Sequence, residues 1–377
     1  MSKNLTIDQS FQKFLTNLNP TDKQLQRIQT TRDTIDSVLS NDTRIYLDTQ
    51  KQTSFLTGSY SRNTIIRPID DIDLYVRVHY SKHAEGQSPR SILLLMASAL
   101  RKRYSNTKVN VDAPCIVVRF LDYKFEIVPT VGYNDDPDLY NIPAPGSKEW
   151  MQCYPNVPDK WLSSSNHAND RMFIPLVKIL KQWNRHNKVR LKSFHLELLT
   201  EKVFGAVTEI DSYPQGILDW MYCVRDWIWD NNYPFILEPG KNHTYVDEYL
   251  YEKPFKLRVV RNKFDAGLKK AERAWNFYCG GRYPAAKRMW NEMFGSKFPA
   301  PQLTTATPTL VPPKPPPAPT LKDFLTTQPT TGLLGGYHRN ALLGALSNPV
   351  AKPPGSPPSD TNALLDLLLK SKDPFKK

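Results

Sequence analysis

The spacing of apolar residues near the start of the chain is that of amphipathic helices. Residues 11–18 form one such run, and residues 24–39 form a longer one, in which leucine and isoleucine recur at intervals of three, seven and four positions. Residues 88–104 contain another apolar run of this kind. Because a period near 3.6 places these side chains on one face, the pattern predicts helices in all three segments.

Between and after these helices the pattern changes to that of strands. Residues 71–78 alternate polar and apolar side chains, and β-branched residues are concentrated in residues 115–120 and 125–129. A short run over residues 55–57 precedes Gly58. Alternation with a period of two is typical of strands. These runs therefore predict an antiparallel or mixed sheet flanked by helices.

From about residue 166 onward the pattern is mainly helical. The predicted helices cover residues 172–187, 194–204, 216–229, 247–251, 258–280 and 283–294. We therefore predict an α+β protein with a sheet-containing lobe over residues 1–160, which includes the N-terminal helices, and a helical lobe over residues 161–299.

Proline marks the end of the predicted folded part. Of the 32 prolines, 15 lie in residues 300–377, including the run from Pro312 to Pro319. Such a segment forms polyproline helix or coil rather than a packed core, so we expect a Pro-rich, largely disordered tail over residues 300–377. Its leucine-rich stretch at residues 363–369 is a candidate docking helix for a protein partner.

Composition narrows the class of protein. The chain has 377 residues, of which 40% are hydrophobic, which is enough to bury a core in one large or two medium domains. No apolar run approaches the roughly 18 residues of a membrane span, and the N-terminus lacks the apolar core of a secretory signal. We therefore expect a cytoplasmic protein. The four cysteines are far apart without a CxxC pair, which predicts reduced thiols.

The chain is basic, with 50 Lys and Arg against 37 Asp and Glu and a formal charge of +13. The tail carries +4 of this charge, which leaves +9 on the predicted folded part. Basic charge attracts phosphate backbones, so a nucleic-acid activator bound by the basic core is a possible partner. No strand shows the interleaved aromatics of an RNA-binding sheet, which disfavours nucleic-acid binding as the sole function.

The sharpest chemical signal is Gly58 and Ser59, followed by Asp71 and Asp73 on the predicted strand. A strand points Asp71 and Asp73 to the same face. Two such close charges are unfavourable without a cation between them, and carboxylate oxygens favour Mg²⁺ or Mn²⁺. The glycine lets the backbone approach phosphates, and Ser59 offers them a hydroxyl and an amide. An isolated Asp-x-Asp usually ends a solvated strand, but this spacing favours a site for metal and phosphate.

A third acid, Glu126, lies between two apolar residues of a further predicted strand. If that strand pairs beside the one bearing Asp71 and Asp73, the three acids can hold two metal ions about 4 Å apart, the spacing used in in-line phosphoryl transfer. We therefore predict Asp71, Asp73 and Glu126 as catalytic and metal-binding residues. Asp70 alternates to the opposite face, which predicts a cap or salt-bridge residue.

Several basic residues have two interpretations each. Arg62 and Arg67 can reach phosphate or pair with a surface acid. Lys181 lies in an apolar helical run, where burial of its charge requires an anion such as phosphate, or where its stem extends past the core to solvent. Lys178, one turn earlier, is predicted to lie on a solvated face, and His195 is more typical of a structural histidine than of a ligand.

These motifs together resemble a known family. The chain is similar to the bacterial cGAS/DncV-like nucleotidyltransferases, the cyclases of CBASS anti-phage defence, within the polymerase-beta-like nucleotidyltransferase superfamily. The likeness covers almost all of residues 1–299. It is carried by Gly58-Ser59-Tyr60-x-Arg62-x-Thr64, Phe125 to Pro129, Ile142-Pro143, Leu180-Lys181-x-Trp183-Asn184, Ser193 to Glu197 and Trp290 to Pro299.

The resemblance implies a polymerase-beta-like nucleotidyltransferase lobe packed on a helical lobe that closes the NTP cleft. It implies metal-dependent synthesis of a cyclic or linear oligonucleotide second messenger from NTPs, with two Mg²⁺ or Mn²⁺ ions. Asp71 and Asp73 would bind both metals, and Glu126 would bind the metal next to the acceptor hydroxyl. Many relatives have Asp at the third position, and Glu is longer by one methylene.

The resemblance also assigns the NTP-binding residues. Gly58 and Ser59 would hold the donor triphosphate, while Lys181 and Ser193 match positions that contact it across the cleft; Arg62 is a further candidate. One alternative is a template-independent nucleotidyltransferase that acts on RNA ends or on a small molecule, because such enzymes share the Gly-Ser and Asp-x-Asp motifs. A nucleic-acid-binding sensor is the other alternative. The helical-lobe motifs favour the signalling enzymes.

Overall fold

The computed structural model describes residues 5–49, 52–133, 136–205, 209–231, 233–239 and 244–299. All of these residues belong to one compact unit of the chain. The predicted Pro-rich tail, with its candidate docking helix, lies outside the described residues. In the part of the chain that is described, no helix is both long enough and apolar enough to cross a membrane.

The order of elements confirms an α+β protein whose strands precede most of its helices. The strands are β1 (Ser54–Thr57), β2 (Asp71–Arg77), β3 (Lys108–Asp112), β4 (Cys115–Arg119), β5 (Lys124–Gly132), β6 (Tyr140–Pro143) and β7 (Trp150–Cys153). The helices are α1 (Ile7–Leu18), α2 (Asp22–Ser40), α3 (Gly58–Ser61), α4 (Tyr80–His83), α5 (Pro89–Arg103), α6 (Val157–Ala168), α7 (Phe173–His186), α8 (Ser193–Phe204), α9 (Tyr213–Asp230), α10 (Glu248–Tyr251), α11 (Pro254–Cys279) and α12 (Tyr283–Phe294).

Side-chain caps fix where the first helices begin. The Thr6 hydroxyl accepts a hydrogen bond from the backbone of Gln9, whose side chain accepts one from the backbone of Thr6. This capping box starts α1 four residues earlier than the apolar run from Phe11 predicts. Thr21 and Gln24 form the same arrangement at the start of α2.

The strands form one mixed sheet with the order β1-β2-β5-β4-β3, and β6 and β7 extend it from the end of β5. Strands β2 and β5 are parallel, whereas the other neighbouring strands are antiparallel. The sheet is therefore mixed rather than wholly antiparallel. The reason is the long connection between β2 and β5, which contains helix α5, since parallel strands require a crossover of a dozen or more residues.

The two faces of the sheet have different environments. On one face α2 and α5 cover a large apolar cluster that includes Ile72, Leu74 and Ile127. On the opposite face a smaller cluster includes Tyr75 and Cys153. Because side chains alternate along a strand, Asp71 and Asp73 lie on the same face as Tyr75.

Helix α1 packs with the helices after residue 156 rather than with the sheet. Phe11 joins the helical core, where its ring centroid lies 5.1 Å from that of Phe298 and 5.7 Å from that of Trp290, both in edge-to-face contact. Phe14 contacts the same group at 5.0 Å from Phe294. The N-terminal helix thus holds the end of the described chain through aromatic packing.

Candidate active site

The predicted acids meet on one face of the sheet. Parallel pairing of β2 with β5 places Asp73 opposite Glu126, and places Asp71 opposite Lys124. Paired residues on neighbouring strands stand about 5 Å apart and project to the same side. The expected pairing of the Glu126 strand beside the strand bearing Asp71 and Asp73 is therefore confirmed.

Negative charge is crowded at this position. Burial, followed by the nearby charges of Asp71 and Glu126, raises the pKa of Asp73 to about 7. Burial and then the charge of Glu126 also raise the pKa of Asp71. A cation close to a carboxyl group with a raised pKa stabilises its ionised form.

One cation of the chain already lies among the acids. The Lys124 ammonium forms an ion pair with the Glu126 carboxylate. Within the described residues, no three His, Cys, Asp or Glu side chains are arranged as a metal cage. The donor set nevertheless fits a hard divalent cation, since Asp71, Asp73 and Glu126 offer carboxylate oxygens on one face and the first two carry raised pKa values.

The Gly58 turn lies directly against this carboxylate group. Gly58 has φ +67°, and a Cβ at this position would overlap the carboxylate oxygen of Asp73. The Ser59 carbonyl accepts hydrogen bonds from the backbone of Thr64 at 3.0 Å and of Ile65 at 3.1 Å. The turn is therefore held rigidly, with its backbone next to Asp73, as expected for a loop that approaches phosphates.

A buried ion cluster connects the segment after this turn to the helical lobe. Glu197 of α8 is fully buried. Its carboxylate accepts hydrogen bonds from Arg62 Nε at 2.7 Å, from Thr64 Oγ1 at 2.5 Å and from Lys181 Nζ at 2.8 Å. Burial alone would raise the pKa of Glu197, but Lys181 and Arg62 lower it to about 2. We call these four residues the Glu197 cluster.

Two of the predicted NTP ligands, Arg62 and Lys181, belong to the Glu197 cluster. The anion that Lys181 requires is a buried glutamate in this structure, and the acid paired with Arg62 is the same buried residue rather than a surface one. Arg62 also lies 3.5 Å from Asp159. Both cations are close enough to the catalytic acids to lower the pKa of Asp71 or Asp73 against the effect of burial. Direct contact of Lys181 and Arg62 with a triphosphate stays a prediction.

The prediction for Lys178 was wrong. Lys178 is buried rather than solvated, and its ammonium donates to Asn19 Oδ1 at 2.9 Å and to Asn63 Oδ1 at 3.1 Å. Burial, and then the charge of Lys181, lower its pKa to about 8. Helical spacing assigned the residue to the outer face, but α1 and the segment after Gly58 cover that face.

The remaining predicted residues occupy these positions. Asp70 forms the expected salt bridge, at 2.5 Å from Arg185. Arg67 donates to the backbone carbonyls of Thr16 and Asn17 at 3.0 and 2.9 Å. Ser193 is exposed at the first position of α8, one turn before Glu197 and on the same side of the helix.

His195 is structural in this arrangement. Its Nδ1 lies 3.0 Å from the hydroxyl of Tyr249, and the ring is buried. Burial, followed by the charge of Lys192, lowers its pKa to about 3, so the ring is neutral at physiological pH.

Sequence reasoning missed Glu197 as a functional position. A usable signal was present, because Glu197 interrupts the apolar run of Leu196, Leu198 and Leu199, just as Glu126 interrupts its own strand. An acid in such a run is costly to bury without a cation.

Comparison with known proteins agrees with this arrangement. The family model of the Second Messenger Oligonucleotide or Dinucleotide Synthetase domain matches residues 5–166. A cyclic AMP-AMP-AMP synthase of Acinetobacter sp. is 26% identical over 212 residues, which are 52% of this chain and 59% of that protein. A cyclic AMP-AMP-AMP synthase of Escherichia coli is 24% identical over 172 residues, which are 43% of this chain and 53% of that protein. The matches thus span little more than half the length of these curated relatives.

Solved structures share the fold over most of the chain. CdnC of E. coli MS115-1 with ATP has a TM-score of 0.56 at 19% identity, over 79% of this chain and 100% of that one. Vibrio cholerae DncV, described as a cyclic AMP-GMP synthase, has a TM-score of 0.61 at 11% identity, over 79% of this chain and 97% of that one, in complex with a linear intermediate. The match of residues 5–166 to the synthetase domain and the fold shared with CdnC and DncV agree with the resemblance of this chain to the bacterial cGAS/DncV-like nucleotidyltransferases.

Proposed function

We propose that this chain is a metal-dependent nucleotidyltransferase that joins NTPs into a cyclic or linear oligonucleotide second messenger of anti-phage signalling. The observation that carries the proposal is the register of β2 and β5, which sets Asp73 opposite Glu126, together with the Gly58 backbone packed against Asp73. This places a turn suited to phosphates beside three carboxylates on one face.

In this proposal Asp71, Asp73 and Glu126 bind two divalent metal ions. The ions are Mg²⁺ or Mn²⁺. Bound metal supplies activation of the acceptor hydroxyl and neutralises charge on the triphosphate. The raised pKa values of Asp71 and Asp73 support this role, because ligation requires the ionised carboxylates and a cation favours that form.

The chain's own residues position the reactants. The Gly58 backbone and Ser59 bind the donor triphosphate, and Ser193, at the start of α8, contacts it from the helical lobe. Arg62 and Lys181 contribute positive charge at the same edge of the site while Glu197 fixes their side chains. Such fixed charges stabilise phosphoryl transfer because they do not have to reorganise during the reaction.

The relatives suggest the first substrate and the kind of regulator to test. Two relatives are named cyclic AMP-AMP-AMP synthases, so we propose ATP as one substrate of this chain. The E. coli MS115-1 CdnC structure also exists in complex with a HORMA protein. A protein activator is accordingly proposed here, and the contribution of the tail to such a complex stays a prediction.

The test is incubation of the full chain with each radiolabelled NTP singly and in pairs, with Mg²⁺ or Mn²⁺, followed by phosphatase and nuclease digestion. We expect a phosphatase-resistant product that needs both the metal and the intact Asp71 and Asp73 pair. Addition of a 3′-hydroxyl RNA oligonucleotide tests the alternative. Label transferred to that RNA, without free oligonucleotide product, would assign the chain to RNA-end modification instead.

A further inference from the structure

A row of basic residues crosses the sheet on the side of the acids away from Gly58. Lys124 of β5 is the partner of Arg119 on β4, and Arg119 is the partner of Lys108 on β3. Residues directly paired across strands project to one face. With strands about 4.8 Å apart, Lys124 and Lys108 are separated by roughly 10 Å. We call these three residues the basic row.

The basic row lies on the same face as the catalytic acids. Lys124 is the partner of Asp71, and its ammonium contacts the Glu126 carboxylate. The next residues along these strands, Phe125 and Val118, point to the opposite face and are buried in the large apolar cluster. The row is therefore an extension of the active-site surface rather than part of the core.

The outer two members of the row have charges that the described residues do not neutralise. Arg119 and Lys108 are exposed, and neither forms an ion pair within the part of the chain that the structure describes. Like charges directly opposite on neighbouring strands are destabilising, so this arrangement is favourable when an anion lies across it.

A groove beside the row offers further hydrogen-bond donors. Its volume is about 400 Å³, and its lining includes Arg101, Asn110, Val117 and Arg119, together with the carboxylate of Asp112 at the end of β3. Asn110 is the partner of Val117, which is itself the partner of Glu126, so the groove begins one strand beyond the catalytic acid. It combines two guanidinium groups and an amide with an apolar wall and one carboxylate.

We propose that the basic row binds the 5′-triphosphate of the acceptor, which is either an NTP or the linear oligonucleotide intermediate. The proposed donor triphosphate lies at Gly58, beside β1 and β2, and an in-line transfer requires the attacking hydroxyl on the side of the transferred phosphorus opposite the leaving pyrophosphate. In the strand order β1-β2-β5-β4-β3, the side of the acids away from Gly58 is formed by β4 and β3. The identity of the reactants rests on the function proposed above.

The test measures binding without turnover, on the full chain. The probe is a fluorescent adenine dinucleotide with a 5′-triphosphate and no ribose hydroxyl, so that it cannot act as an acceptor. Saturating α,β-methylene dideoxy-ATP fills the donor side with Mg²⁺ present. The test variant is Arg119→Ala with Lys108→Ala. The matched control is Lys269→Ala with Arg288→Ala, which removes the same charge from exposed positions on the helical lobe.

We expect the test variant to bind the triphosphate probe at least tenfold more weakly, and the control to bind it as the wild type does. The same dinucleotide without 5′-phosphates should bind both variants equally. The dependence of log affinity on log salt should become shallower by about 1.4 for two lost phosphate contacts on a single strand. Lys124 is left intact because its substitution would also release Glu126.

Three results would overturn the proposal: no binding of the probe by the wild type, unchanged affinity in the test variant, or equal loss for both dinucleotides. A gel shift with duplex DNA or RNA that disappears in the test variant, while probe affinity is unchanged, would reassign the row to a nucleic-acid partner. Failure of the proposed function is separate, because it appears as absence of product in the NTP assay even when row-dependent binding is intact.

Discussion

The Lys181 ammonium lies 2.8 Å from the Glu197 carboxylate, and both side chains are buried. Arg62 and Thr64 bind the same carboxylate from the segment that follows the Gly58 turn. The chain thereby ties the phosphate-binding segment to α7 and α8 through one anion. Because every partner of Glu197 is itself buried or nearly so, the arrangement is sensitive to the loss of that single charge.

Glu197→Gln should lower the free energy of unfolding by about 3 kcal/mol, because two buried cations lose their counterion. Urea unfolding at pH 7 measures this. Glu201→Gln is the matched control, one turn further along α8, where the pKa of the carboxyl is raised, chiefly by burial, and not lowered as it is at Glu197. The control should cost little or nothing, and equal losses in the two variants would contradict the special role of Glu197.

The stability difference between the wild type and Glu197→Gln should depend on pH. The pKa of Glu197 is about 2 when folded, against an ordinary value of 4.5, so the folded state holds this proton less tightly than the unfolded state. Its contribution to stability is present above pH 4.5 and is lost as the pH falls toward 2. The stability difference between wild type and Glu197→Gln should therefore shrink over that range. A difference that stays constant down to pH 2.5 would show that Glu197 does not titrate in this way.

The grouping of the three acids on the sheet could be predicted from the sequence. The ion pairs of the Glu197 cluster, which join the Gly58 segment to the helical lobe, could not. Alternation alone placed Asp71 and Asp73 on one face, and an acid in an apolar strand identified Glu126 as their neighbour. Period-two patterns carry this information because they act locally. Strand direction is not local, which is why the parallel pairing of β2 and β5 was left open.

Contacts over long sequence separations account for most of what was missed. Arg62 and Glu197 are 135 residues apart, and no spacing rule relates them. Lys178 was assigned to solvent because helical periodicity describes only one helix, not the elements that cover it. For the same reason the association of Phe11 with Trp290 and Phe298 could not be foreseen.

Lys178→Met should remove a rise in stability at alkaline pH. The folded pKa of Lys178 is about 8, below its ordinary 10.5, so folding releases a proton between these values. In the wild type this contribution increases as the pH rises from 8 to 10.5, and the variant should lack it. Thermal unfolding from pH 7.5 to 10.5 measures the difference. Lys269→Met, at an exposed site, should follow the wild-type curve; if Lys178→Met follows it too, the lysine is charged throughout.

Asp71→Asn together with Asp73→Asn should abolish oligonucleotide product while the melting temperature stays equal or rises. The substitutions remove proposed metal ligands but also relieve the crowding that raises the pKa of Asp73 to about 7. Product is measured by thin-layer chromatography of labelled NTP reactions, and folding by calorimetry. Wild-type turnover in this variant would refute the proposed metal site, and a large drop in melting temperature would contradict the electrostatic argument.

Gly58→Ala tests whether the turn acts through Asp73. Gly58 and Gly86 both have positive φ, of +67° and +63°. An alanine in this region costs roughly 1–2 kcal/mol at either position. At Gly58, however, the added Cβ would overlap the Asp73 carboxylate, whereas at Gly86 it meets no atom within 4 Å.

We therefore expect Gly86→Ala to lose only the backbone contribution to stability in urea unfolding and Gly58→Ala to lose at least as much, but only Gly58→Ala to lose product formation, by at least a hundredfold. Misplacement of a catalytic group by about 1 Å is enough for an effect of that size. Assays are run well below the unfolding transition of both variants, so that the fraction folded is the same. Equal activity in the two variants would mean that the Gly58 turn is needed only for its backbone conformation, and that its contact with Asp73 has no part in catalysis.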